Sequence, residues 1–200
     1  RIIGVGRVGG PAAFIWSDDL GQTWKQGKIP AIGAMAFDVK FLDEKRGFIA
    51  SATHADVSQA HALILATEDG GATWNEVYRS TRPFETTWKF SFPTSETGYC
   101  TVQSYNPDPA ASQRFVAKTT DGGKRWTEIP LVNDHKVREF GIAFVDAERG
   151  ERHGVIAFAA TGVVGMQFAG GFQGSFLPEA GKVKDAERTG GAGADKRDDF

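Results

Sequence analysis

The sequence predicts an all-β protein assembled from repeated four-stranded antiparallel units, and three observations predict it. The stretch Ser17 to Trp24 returns as Thr67 to Trp74 and again as Thr119 to Trp126, each time reading Ser or Thr, x, Asp, x, Gly, x, x, Trp. The aspartates Asp19, Asp69 and Asp121 stand 50 and then 52 positions apart, a period that marks repeated supersecondary units. A second segment keeps the same interval: a Phe, a polar turn and a closing Gly recur as Phe41 to Gly47, Phe92 to Gly98 and Phe144 to Gly150. With 25 glycines and 12% aromatic residues, the composition suits a turn-rich β protein.

Each unit therefore reads as a strand ending in Phe, a turn closed by Gly, two further strands, the Asp segment, and a Trp that begins a fourth strand. The residues of the Asp segment explain why a hairpin needs them. Asp is short enough to accept backbone N–H groups of its own turn, and Gly tolerates the positive φ that such a turn requires. The Trp ring folds back and buries a large apolar area. On this reading Ser17, Asp19, Gly21 and Trp24, Thr67, Asp69, Gly71 and Trp74, and Thr119, Asp121, Gly123 and Trp126 are structural clips. Binding of calcium or another ligand by the three carboxylates is the other reading these residues allow.

These stretches resemble the Asp-box, or BNR, repeat of sialidases, sortilin-type receptors, some glucanases and, most closely, the photosystem II stability/assembly factor family. Phe144-Val145-Asp146 with Gly150 is similar to the first half of that family's repeat, and Thr67 to Trp74 to the second. Phe48 and Tyr99 stand where its consensus has Trp. The resemblance covers roughly residues 1 to 160 and implies a β-propeller of four-stranded blades. At about 51 residues per blade the chain would hold about three complete blades plus partial ones, whereas propellers close with about four to eight. A fragment, or one half of a ring closed by association, is the expectation.

Taken in order, Arg1 to Gly10 contains a literal G-x-G-x-x-G that invites a dinucleotide-binding reading. The context opposes it, because Pro11 to Trp16 runs directly into the first Asp segment and leaves no helix to hold a pyrophosphate. In the repeat frame these residues are the second and third strands of an incomplete first blade. Ala34 to Phe41, Thr86 to Phe92 and Val137 to Phe144 are the innermost strands of the next three units. Ala62 to Ala66 is a short apolar strand, and Val155 to Phe158 continues the last blade. Insertions at Ser51 to Ala60 and Ser104 to Ser112 fall at the same place in successive units, so they are expected on one face. A fourth Asp segment due near residue 172 is replaced by Gly170-Gly171-Phe172-Gln173-Gly174. Blades are expected over 1–177, and a charged, Gly-rich disordered tail over 178–200.

A net charge of −2 gives no electrostatic case for nucleic acid. No stretch approaches the roughly 18 to 20 apolar residues of a membrane span. The one cysteine, Cys100, allows no internal disulfide, which argues against a disulfide-stabilised receptor ectodomain. His54 and His61 match no zinc spacing, and no cofactor or metal is expected. For function, the resemblance implies a non-enzymatic scaffold that recognises a protein partner, a membrane-protein complex or its precursor, in periplasmic, thylakoid-lumenal or secreted space. Arg82, Trp88, Lys89 and Arg138 are the candidate partner-binding residues, because an aromatic beside cations is the composition of interface hot spots. The alternative is a glycan-active enzyme of sialidase or glucanase type, or a carbohydrate-binding propeller; Lys28-Ile29-Pro30 is the nearest string to a sialidase Arg-Ile-Pro and follows an Asp segment. No catalytic residue is assigned.

Overall fold

A computed structural model describes residues 1–7, 11–131, 137–144, 154–160 and 163–168, with Ile142 the one side chain described in the last three stretches. The first sheet holds β1 (Ile2–Gly6), β2 (Ala13–Ser17) and β3 (Lys25–Lys28). The second holds β4 (Met35–Phe41), β5 (Gly47–Ala52), β6 (Ala62–Thr67) and β7 (Asn75–Arg79). The third holds β8 (Glu85–Ser91), β9 (Gly98–Ser104), β10 (Phe115–Thr119) and β11 (Thr127–Pro130). The fourth holds β12 (Val137–Phe144), β13 (Gly154–Ala160) and β14 (Val163–Phe168). Within each sheet the strands follow chain order and pair antiparallel. These are propeller blades, and among the described residues the one helical element is a 3-10 turn at Val57–Gln59.

Two four-stranded sheets stand between two three-stranded ones among the described residues, and the residues after β14, where the last blade would be completed, lie outside those described. In the first sheet the single hairpin β1–β2 precedes the first Asp segment. Gly4 and Gly6 of the G-x-G-x-x-G lie in β1, paired with Ile15 and Ala13. The strand leads into a hairpin instead of a helix, so the pyrophosphate site has no scaffold. The region expected to be a tail lies outside the described residues.

Middle strands are covered on both faces. β5 and β9 are buried along their whole length, whereas the outermost β3, β7 and β11 are polar and largely exposed. Strand alternation sends neighbours to opposite interfaces. Ile49, Leu63 and Leu65 join Ala12, Phe14, Ile29 and Trp74 between the first and second sheets. Phe48, Ala50 and Ile64 join Tyr78, Phe90, Cys100, Val102 and Ala117 between the second and third. Each Val, Leu, Ile or Phe among them contributes about 1.5–3 kcal/mol by leaving water. One buried hydroxyl also ties sheets together: Thr87 Oγ1 of β8 donates to the Ser51 carbonyl at 2.7 Å and lies 3.2 Å from that of Leu63.

Candidate partner-binding surface

The Asp turns set the outer geometry. In the second, the Thr67 hydroxyl donates to Asp69 Oδ1 at 2.7 Å and accepts from Asp69 N–H at 3.3 Å and Gly71 N–H at 2.9 Å. Asp69 then accepts from Thr73 N–H at 2.8 Å and the Thr73 hydroxyl at 2.6 Å. The first turn repeats all of this with Ser17, Asp19, Gly21 and Thr23 at 2.5–3.3 Å. In the third, Arg125 replaces the Thr. Its N–H donates to Asp121 Oδ1 at 3.0 Å and its Nε stands 3.6 Å from Oδ2, while Thr119 keeps its bonds to Asp121 and Gly123.

The hydroxyl and N–H of Thr23 and Thr73 hold Asp19 and Asp69 down at about 2; the Arg125 N–H lowers Asp121 in the same direction. Their oxygens are thus turned inward on the hairpin. Among the described residues no three His, Cys, Asp or Glu side chains converge as a metal site.

Turn and neighbouring sheet meet at the glycines. Gly71 and Gly123 have φ of +95° and +88°. A Cβ on Gly71 would lie 2.6 Å from the Phe14 ring, and one on Gly123 2.2 Å from the Phe48 ring. Only glycine permits both the conformation and the approach. Trp74 stacks edge-on to Phe14 at 5.5 Å, and Trp126 edge-on to Phe48 at 6.0 Å. Each Trp therefore closes over its turn and also packs on the sheet before its own.

At the opposite edge, the innermost strands carry the candidate surface. Each has a bulge at the same register. Phe37 is the extra residue between Ala36 and Asp38 in β4, Trp88 and Lys89 face Thr101 alone in β8, and Phe140 is extra between Glu139 and Gly141 in β12. A bulge twists its strand and re-aims side chains. Trp88 is half-buried, with its ring 4.8 Å from Phe37 of the adjacent β4, and donates from Nε1 to the Tyr105 hydroxyl at 3.1 Å. Lys89 is exposed. Its Nζ lies 3.4 Å from Asp38 Oδ1, and Asp38 Oδ2 accepts the Phe90 N–H at 2.9 Å, so one carboxylate joins two sheets.

Arg82 belongs to a different setting. Its Nε and Nη2 donate to Glu85 at 2.6 and 3.1 Å, and its Nη1 and Nη2 to Glu128 at 3.0 and 2.9 Å. Its guanidinium lies over the Phe115 ring at 4.1 Å, and Tyr78 of the second sheet donates to Glu128 Oε1 at 2.7 Å. Burial raises the Glu85 carboxyl, which is 1% exposed, against the pull of Arg82. Burial likewise opposes ionisation of Glu128, yet the bonds from Arg82 and Tyr78 outweigh it and leave that carboxyl lowered. Arg138 lies in β12 opposite Ala159; its side chain is outside those described.

Trp88 and Lys89 thus share one bulge, and Arg82 is drawn into an ion network on the second and third sheets. Sequence reasoning missed Phe37, Asp38 and Tyr105 as neighbours of Trp88. The signal for Phe37 was available, because it stands 51 positions before Trp88, one repeat back.

No protein-family model and no curated protein matches the sequence. Among solved structures, the fold is similar to a chain described as YCF48 bound to D1 peptide, with 14% identity, a TM-score of 0.28, and coverage of 80% of this chain and 72% of that one.

Proposed function

We propose that the protein is a non-enzymatic binding propeller that recognises a protein partner through the bulged edge of its innermost strands. The observation that carries this reading is the Phe37–Trp88 ring pair, half-buried beside exposed Lys89, at a register where bulges recur in β4, β8 and β12. Amphipathic aromatics beside a cation supply contact area at low entropic cost and an orienting charge. Arg138 lies in β12 two residues before its bulge, and Arg82 ties together the second and third sheets.

The finer reading follows the resemblance of Thr67 to Trp74 to the photosystem II stability/assembly factors: the partner is a membrane-protein complex or its precursor, met in periplasmic, thylakoid-lumenal or secreted space. A glycan-hydrolysing site needs two carboxylates free for acid–base work. Glu85 and Glu128 both bind one guanidinium and the Asp turns consume their own oxygens, so the geometry favours binding over hydrolysis.

Peptide arrays covering the water-exposed tails of membrane-protein subunits, probed with the full chain, test the proposal. Discrete bound peptides that are lost with Trp88→Ala and weakened with Lys89→Glu are expected. Binding untouched by both variants removes the site, and an array without bound peptides removes the reading.

A further inference from the structure

The sequence holds two Asp-Gly pairs, Asp69-Gly70 and Asp121-Gly122, each inside an Asp turn, whereas the first turn has Leu20 after Asp19. An Asp-Gly pair is open to rearrangement because the glycine nitrogen, unshielded by a Cβ, can attack the side-chain carboxyl carbon of the residue before it. That attack needs a carboxyl group able to lose an oxygen as water. A carboxylate with both oxygens held in charge-assisted hydrogen bonds resists it.

The attacking nitrogens are held alike in the two pairs. Gly70 N–H donates to the Lys45 carbonyl and Gly122 N–H to the Glu96 carbonyl, both at 2.9 Å. The carboxylates differ. Asp69 Oδ1 takes the Thr67 hydroxyl and the Thr73 N–H, and its Oδ2 takes the Thr73 hydroxyl at 2.6 Å. Asp121 Oδ1 has the matching pair, the Thr119 hydroxyl at 2.9 Å and the Arg125 N–H at 3.0 Å. Its Oδ2 has lost the hydroxyl donor, because Arg125 stands where Thr73 stood. The Arg125 Nε lies 3.6 Å from that oxygen on a side chain that is 91% exposed, and the Asp121 side chain is itself 35% exposed to water. The first turn is protected twice, since Thr23 binds both Asp19 oxygens and Leu20 carries a Cβ.

We propose that Asp121-Gly122 is a site of spontaneous isoaspartate formation, selected among the three Asp turns by the loss of the threonine hydroxyl. The Gly122 nitrogen bonds to Asp121 Cγ, and the side-chain hydroxyl leaves with the amide proton as water, closing a five-membered succinimide. Water then adds to one of the two ring carbonyls. Cleavage of the bond between the nitrogen and Cγ restores aspartate, and cleavage of the original peptide bond leaves the main chain running through the side chain. Water lost is water regained, and no oxidant or other co-reactant takes part. The new linkage lengthens the main chain by one methylene in a turn with no room to spare. Gly123 has the Phe48 ring where a Cβ would stand, and Trp126 packs 6.0 Å from Phe48 and 6.1 Å from Phe90 of β8. Isomerisation therefore loosens the contact between the second and third sheets.

The full chain, held folded in mildly acidic buffer and sampled over time, tests this by peptide mapping with fragmentation that tells the two linkages apart. Isoaspartate is expected at Asp121 in several-fold excess over Asp69, with least at Asp19. Arg125→Thr should remove the excess, and Thr73→Arg should raise Asp69 to match. In urea, where the turns are lost, the two Asp-Gly pairs should isomerise at similar rates. Equal amounts at Asp69 and Asp121 in the folded chain, no isoaspartate at Asp121, an excess that survives Arg125→Thr, or the same excess in urea would each overturn the proposal.

Discussion

The first and second Asp turns make the same five hydrogen bonds, yet Trp74 is 6% exposed and Trp24 49%. The difference separates two jobs that the repeat merges. Closing the hairpin is local, completed by a hydroxyl, a carboxylate and a positive-φ glycine within eight residues. Burying the Trp depends on a neighbouring sheet that brings an aromatic ring, Phe14 for Trp74 and Phe48 for Trp126. One motif thus serves as a clip in every copy and as an inter-sheet anchor where a sheet stands before it.

The largest effect should fall on that asymmetry. Trp74→Ala is expected to cost about 3–5 kcal/mol, the usual range for truncating a buried Trp, and Trp24→Ala under about 1 kcal/mol in a dilute single chain. Urea unfolding of the two variants checks it, and equal losses would break the comparison. The two inner interfaces differ in a similar way, since the first is apolar and the second also carries the Arg82 network. Arg82→Ala should cost about 3 kcal/mol, because it strands the buried Glu85 carboxylate. The full 3–5 kcal/mol is not expected, as Arg82 keeps 27% exposure.

A reciprocal exchange at the turn comes next. Gly70→Leu forces a side chain into φ +77° with its Cβ 3.1 Å from the Glu44 carbonyl, and should lose about 1–3 kcal/mol. Leu20→Gly should gain up to about 1 kcal/mol, relief of the left-handed strain being partly offset by glycine's chain entropy. Chemical denaturation of both measures what a side chain costs at the left-handed position of the turn.

The smallest expected difference is in acid. Asp19 and Asp69 sit at about 2 in the folded chain against an ordinary 3.8. A carboxyl lowered on folding stabilises fully above its unfolded value and loses that contribution as pH falls toward the folded one. Melting temperature should therefore drop between about pH 4 and pH 2. Asp19→Asn and Asp69→Asn should flatten that drop to the same degree, because the two carboxylates have the same partners. Unequal flattening would show that the turns are not the same local device.

Much of the fold was legible in the sequence. The repeat placed β4, β8 and β12 within a residue of where they lie, because a strand ending in Phe before a Gly-closed turn is a local pattern. The incomplete first sheet was legible too, from the short run before Ser17. The candidate site was legible only in part. Trp88 and Lys89 stand out as an aromatic beside a cation, but nothing near Arg82 in sequence points to Glu128, 46 positions on. Nor does Phe37 carry a mark of its own until the bulges of adjacent strands set its ring against Trp88.

By itself the sequence determined the period, the strand order and the chemistry of each Asp turn, all of which rest on hydrogen bonds and alternation spanning a few residues. Tertiary structure alone decided which Trp is buried against a neighbouring ring and which cation is drawn into an ion network. Those outcomes depend on the surface a neighbouring sheet presents, and an identical motif meets a different neighbour in each copy.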